Sequence, residues 1–154
     1  PETTSGSYKY ANHILNSSKT KMPLCVYQIG KSYRVERLDG ASASKYRYNE
    51  FTQAEWQCIY SEGTLADYRT PLVEALCKEV EWFLGNSFVE PSDRLPSYSL
   101  RTDDIMTKTS SRNVEVASIS TREDFDNANV LEVAFGMDRL VDLYQNNKLE
   151  RESL

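Results

Sequence analysis

A single histidine, His13, serves the whole chain. That scarcity removes triads built with a partner histidine and metal sites that need several histidines. Cysteine is almost as sparse. Cys25, Cys58 and Cys77 are odd in number and widely separated, which suits neither a disulfide framework nor a zinc site built on CxxC; three buried, reduced thiols of a cytoplasmic protein are the expectation. Long apolar runs are missing too, so nothing reads as a membrane-spanning helix or a signal peptide. Positive charge is in deficit. Eighteen Lys and Arg against twenty-three Asp and Glu give a net charge of -5, which provides no general pull on nucleic acid, so such a contact needs a local patch or a further segment. No internal repeat or long linker divides the chain.

What remains is an ordinary globular recipe: 154 residues, 40% hydrophobic and 27% charged, enough for one domain with a core. Thr and Ser in PETTSGSY serve as candidate caps, and Tyr8, Ala11, Ile14 and Leu15 at helical spacing predict a helix over about 5–16. PLCVYQIGKSYRVE reads as strand, a kink at Gly30, and strand again. LDGASASK is a loop, expected to be disordered without ligand over 38–45. YRYNEFTQAEWQCIYS alternates as a central antiparallel strand, which makes a hairpin with its predecessor. Thr70-Pro71 opens a helix with Leu72, Leu76, Val80 and Phe83 on one stripe and Gly85 as its stop. Residues 86–111 are the least legible, with a short strand expected at SYSLR. RNVEVASIST is a strand, REDFDN a turn and NVLEVA a strand. A last helix follows Phe135-Gly136 on the stripe Met137, Leu140, Val141 and Tyr144, and residues 146–154 form a charged tail. Strands outnumber helices and arrive as hairpin neighbours, which predicts an α+β class: an antiparallel sheet flanked by helices.

Strand alternation places Ser32, Arg34 and Glu36 on one side, with Tyr33 and Val35 toward the core. The Arg34 fork suits phosphate or carboxylate oxygens, whereas Glu36 can only accept, as from a base's exocyclic amine. On the next strand Arg47, Asn49, Phe51, Gln53, Glu55 and Gln57 share a face. A lone phenylalanine amid polar side chains suits a platform for a flat base. In LEVAFGMDRL, Glu132 ends a strand, Gly136 makes a turn, and Arg139 adds charge to a helix N-terminus that already favours anions. By themselves these residues fit equally a solvated strand face with cross-strand ion pairs and an ordinary strand-to-helix turn.

Taken in order, the segments resemble the catalytic core of a class II aminoacyl-tRNA synthetase. YRVE resembles the start of that class's motif 2, DGASASK its variable loop, YRYNEFTQAEWQ the returning strand, and EVAFGMDRL motif 3. The glycyl branch is suggested by PETTSGSY, similar to an RPET segment, by PLCVYQIGKSYRVE, and by VEVASISTREDFD, similar to a strand ending in an ADRSxYD-like turn. The resemblance implies activation of an amino acid, glycine favoured, to an adenylate with ATP and Mg2+, followed by transfer to tRNA, in a cytoplasmic homodimer without membrane contact. It makes Arg34 and Arg139 catalytic. Arg34, Glu36, Arg47, Phe51, Glu132 and Arg139 would bind ATP, and Glu132 would also stand at the metal. Glu2, Gln53, Glu55, Arg122 and Ala134 would line the amino-acid pocket. The reaction implied is in-line attack of a carboxylate on the α-phosphorus with loss of pyrophosphate, with no protein nucleophile.

Some positions depart from the pattern. EVAFG stands where an EPSFG-like stretch would carry a serine hydroxyl, Asn49 stands for an arginine, and Ser5 stands for a glutamine. Motif 1 and an anticodon-binding domain are missing, so the sequence is expected to be a piece truncated at its N-terminus or a reduced domain. A catalytically inactive paralogue that serves as a nucleotide-binding or scaffold module is the alternative.

Overall fold

The computed structural model describes residues 3–35, 47–61, 68–93 and 95–152, with side chains through residue 147. The expectations for Glu2, Glu36 and the loop over 38–45 lie outside the described residues. In chain order the elements are α1 (Thr4–Ser17), β1 (Leu24–Tyr33), β2 (Glu50–Tyr60), α2 (Arg69–Leu84), β3 (Phe88–Pro91), β4 (Ser99–Lys108), β5 (Asn113–Phe125), β6 (Ala128–Gly136) and α3 (Met137–Glu152). The strands form one antiparallel sheet in the order β1-β2-β6-β5-β4-β3, the expected α+β arrangement.

The two faces of the sheet differ because the strand sequences alternate. One face presents Cys58, Tyr60, Ile105, Ala117, Ile119, Leu131 and Val133 to α2 and α3, which contribute Leu72, Val73, Leu76, Val80, Leu84, Leu140 and Leu143. Burying each such side chain is worth ~1.5–3 kcal/mol, so this layer carries the fold. The opposite face is closed at one end only, where Tyr8, Ala11 and Leu15 of α1 pack on Val26, Ile59, Phe125 and Val130. Beyond α1 that face is polar and open.

Several boundaries differ from expectation. Thr3 makes no side-chain cap on α1; its hydroxyl donates instead to Glu55 at 2.6 Å, tying the helix start to the sheet. Gly30 does not interrupt β1. Tyr33 and Val35 face solvent, 53% and 98% exposed, rather than the core. β1 is an edge strand whose outer side neither α2 nor α3 reaches, as Tyr27 and Ile29 also show.

On α2 the stripe runs through Leu84 rather than Phe83, which is half exposed against Trp82 and Tyr144. Gly85 does end this helix, at φ 81°, a left-handed conformation that favours glycine. Residues read as a turn at REDFDN continue β5 to Phe125, because that ring closes the core beneath α1. The chain reverses only at Asp126–Asn127, with Asn127 at φ 55°. On α3, Leu143 is buried while Val141 and Tyr144 are half exposed. The segment expected to be a tail continues this helix to Glu152.

Candidate active site

The open polar face forms a cleft of about 840 Å3. Its position follows from register. Glu55 on β2 lies opposite both Gln28 on β1 and Ala134 on β6, and Ala134 in turn opposes Ser118 on β5. Directly opposed residues share a face, so these short or polar side chains form a floor that leaves room above the sheet. α1 bounds one end of the face, and the β1–β2 strand ends and the start of α3 carry the cationic groups.

Arg34, Arg47 and Arg139 all line the cleft. The backbone N–H of Arg34 donates to the Asn49 carbonyl at 2.8 Å, which prolongs the hairpin ladder one step past β1. Its guanidinium carbon lies 5.1 Å from the centroid of the Phe51 ring, a cation over an aromatic face. Behind them the Ser32 hydroxyl donates to Gln53 Oε1 at 2.8 Å. Across the cleft the Arg139 guanidinium donates to the Glu115 carbonyl and lies 3.6 Å from its carboxylate. The Thr52 N–H donates to Asp138, which docks the first turn of α3 on β2. Gly136 and Arg139 therefore sit at the cleft rim as the strand-to-helix turn required.

Two carboxylates on the floor are buried, and each is already engaged. Glu55 Oε1 accepts from Thr3, and its Oε2 accepts from Gln28 Nε2 at 2.5 Å; the same amide nitrogen donates to the Thr3 carbonyl at 2.8 Å. Glu132 accepts from Arg122 Nη1 at 3.0 and 2.8 Å, from Gln57 Nε2 at 3.1 Å and from the Thr4 hydroxyl at 3.2 Å. Burial pushes the Glu132 carboxyl up, against the lowering pull of Arg122 and of the Gln57 hydrogen bond.

Arg122 does not line the cleft. It lies behind Glu132, 1% exposed, with its guanidinium 4.0 Å from the Tyr98 ring and 5.5 Å from the Tyr8 ring. Nε and Nη2 donate to Asp124 at 3.0 and 2.6 Å, and the Tyr8 hydroxyl donates to Asp124 at 2.9 Å. The side chain expected to touch the amino acid is a buried brace for Glu132.

A magnesium ion is implied by the resemblance, with Glu132 beside it. Three of the four hydrogen bonds fall on Glu132 Oε2 and one, from Arg122, on Oε1, and among the described residues no group of three or more His, Cys, Asp and Glu could hold a metal. The Arg122 guanidinium bonded to both oxygens already supplies this carboxylate with a positive charge, which opposes a second cation on it.

Sequence reasoning missed the far wall. Tyr98, Thr102, Asp104, Glu115, Ser118 and Ser120 also line the cleft. Thr102 with Asp104, and Ser118 with Ser120, alternate as strand positions do. The signal on β4 is broken by a register shift between Ser99 and Arg101, and that on β5 by the shift opposite Ile105/Met106. Burial and the neighbouring Glu115 raise the Asp104 carboxyl to about 6. Arg34 and Arg47 thus stand at the hairpin side of the cleft and Asp104 and Glu115 toward β4, with Arg139 beside Glu115.

No family model matches the chain. Its sequence is similar to the glycine–tRNA ligase of Corynebacterium efficiens, 28% identical over 137 aligned residues in a match that covers 82% of this chain and 29% of that protein. The glycine–tRNA ligase of Cutibacterium acnes is 29% identical over 140 aligned residues in a match that covers 84% of this chain and 29% of its own length. The chain therefore spans less than a third of the curated relatives it matches. Among solved structures, a pyrrolysyl-tRNA synthetase from Desulfitobacterium hafniense superposes over 95% of this chain and 50% of its own, with TM-score 0.64 at 19% identity. The fold is that of a class II aminoacyl-tRNA synthetase catalytic core.

Proposed function

We propose that this catalytic-core fold binds ATP, as its magnesium complex, beside an amino acid, glycine favoured, and forms the aminoacyl adenylate that is then passed to tRNA. The observation that carries this reading is the convergence of Arg34, Arg139 and Phe51 on one cleft, although they come from β1's end, α3 and β2. An aromatic face flanked by two guanidinium groups suits a purine joined to a phosphate chain, and Arg47 adds a third cation. The relatives' names, glycine–tRNA ligases, supply the acceptor and the amino acid.

The chain's part in the chemistry is positioning and charge neutralisation. Arg34 stands where it can grip the α-phosphate and the attacking carboxylate together, and Arg139 holds the far phosphates. Glu55 and Glu132, fixed by Thr3, Gln28, Thr4 and Arg122, turn negative potential toward the substrate ammonium from a buried floor. Gln53 and Ala134 lie between these two ends, Ala134 leaving space rather than a donor. Glu2 and Glu36 keep their proposed roles at the ammonium and the adenine amine.

A second reading, a synthetase-like module that binds nucleotide without turnover, draws on Ala134, which lacks the hydroxyl expected there. Pyrophosphate exchange into ATP across a panel of amino acids tests the proposal: exchange with glycine above all others supports it. ATP binding without exchange for any amino acid selects the second reading, and absence of both rejects the two together.

A further inference from the structure

Cys25 and Cys58 are directly opposed on β1 and β2, and their sulfurs, both free thiols, lie 2.6 Å apart. Opposed residues of antiparallel strands hold their Cα atoms ~4.5–5.5 Å apart, within the ~4.4–6.8 Å that a disulfide spans. The bond can therefore close on this backbone. The two thiols are not equivalent. Cys25 is exposed on the outer side of the edge strand, whereas Cys58 is buried, 4% exposed, in the main core. Burial, with the contact to Cys25, pushes the Cys58 thiol up to about 12. An oxidant reaches Cys25 first, and Cys58 is the shielded partner placed to resolve it.

We propose that Cys25 and Cys58 form a reversible dithiol–disulfide modification site whose oxidant is a small hydroperoxide. The Cys25 sulfur attacks the peroxide's O–O bond, giving a sulfenic acid and releasing water or an alcohol. The Cys58 sulfur then displaces the hydroxyl from Cys25, its own proton leaves with that hydroxyl as water, and the S–S bond forms. Two thiols lose two electrons, and one peroxide gains them. The resulting ring encloses the chain from Cys25 to Cys58, which carries Arg34, Arg47 and Phe51, and so staples one wall of the cleft to the sheet. β1 has a sheet neighbour on one side only, so this bond adds the one covalent restraint across its ladder. Cys77 belongs to a separate place, beside the Ser87 hydroxyl at 3.1 Å, and provides an internal control.

Thiol counting on the folded chain tests the site. Hydrogen peroxide followed by denaturing alkylation is expected to leave one reactive thiol, Cys77, of the three in the sequence. The intact mass should fall by about 2 Da for the two hydrogens lost, and dithiothreitol should restore all three thiols. The Cys77→Ser chain should still lose two thiols, whereas in Cys25→Ser the Cys58 thiol should stay open to alkylation. Added oxygen mass on Cys25 with Cys58 still free, three unreacted thiols, or an intermolecular disulfide on a non-reducing gel would each overturn the assignment.

Discussion

The guanidinium of Arg34 rests 5.1 Å from the centre of the Phe51 ring, so the cation lies over the aromatic face proposed above as a platform for a nucleotide. Under that proposal a purine stacking on the face that Arg34 covers displaces the guanidinium from the ring. Binding and arming of the arginine then become a single event. Phe51→Leu is expected to raise the KM for ATP roughly 10-fold or more, in keeping with ~1–3 kcal/mol per stacked base, with a smaller effect on the KM for the amino acid. Initial-rate pyrophosphate exchange separates the two.

Arg34→Ala should cost on the order of 10²–10³-fold in exchange rate, about 3–4 kcal/mol of transition-state stabilisation. Arg34→Lys should recover little, because an ammonium cannot present a planar fork to two oxygens. Arg34 is exposed, so the urea midpoint of either variant should match the parent. A lowered midpoint would make the kinetic loss a folding effect.

The Arg122–Glu132 pair predicts the opposite pattern. Arg122→Met leaves the buried Glu132 without its counter-ion, which should destabilise the chain by about 3–5 kcal/mol. Adding Glu132→Gln should return part of that loss, since the uncompensated charge is then gone. Urea denaturation of the two single variants and the double variant reads the coupling, and additive losses would show that the brace does not exist.

Asp104 sets a pH dependence whose sign is fixed by the direction of its shift. Burial first, then Glu115, raises its carboxyl to about 6 from an ordinary 3.8, so the folded state holds the proton more tightly than the unfolded state does. The destabilising charge is fully present above about pH 6, fades as pH falls toward 3.8, and is absent below. Asp104→Asn should therefore raise the melting temperature at pH 8 and leave it unchanged near pH 4. A constant difference across that range would show that the side chain titrates normally.

Ala134→Ser places a hydroxyl opposite Glu55 on the cleft floor, where the glycyl-type pattern has one. If exchange occurs with glycine, this variant is expected to lower the KM for glycine several-fold while kcat stays near the parent value. An unchanged KM would mean that the floor at this position does not touch the amino acid.

Much of this architecture was legible because the strongest signals are local. Helical spacing of Tyr8, Ala11 and Leu15 marked α1, and alternation through Phe51, Gln53 and Glu55 marked the polar face of β2. What failed depended on partners distant in sequence. Tyr33 and Val35 look like core residues until β1 proves to be an edge strand beyond the reach of α2 and α3. Arg122 looks like a substrate contact until β5 is paired with β6 and the side chain turns inward to Glu132. β4 was hidden because its alternation is interrupted by a register shift after Ser99, and with it went Asp104 and Thr102, two of the six residues of that wall.

Thr4 donates to Glu132 across 128 positions, and Arg122 reaches back to Thr4 across 118. Contacts so far apart are won only against the entropic cost of closing long loops. α1 must therefore wait for β5 and β6 before its threonine finds a partner. The floor of the cleft is thus sewn together from segments at opposite ends of this fold, and no single hairpin carries it alone.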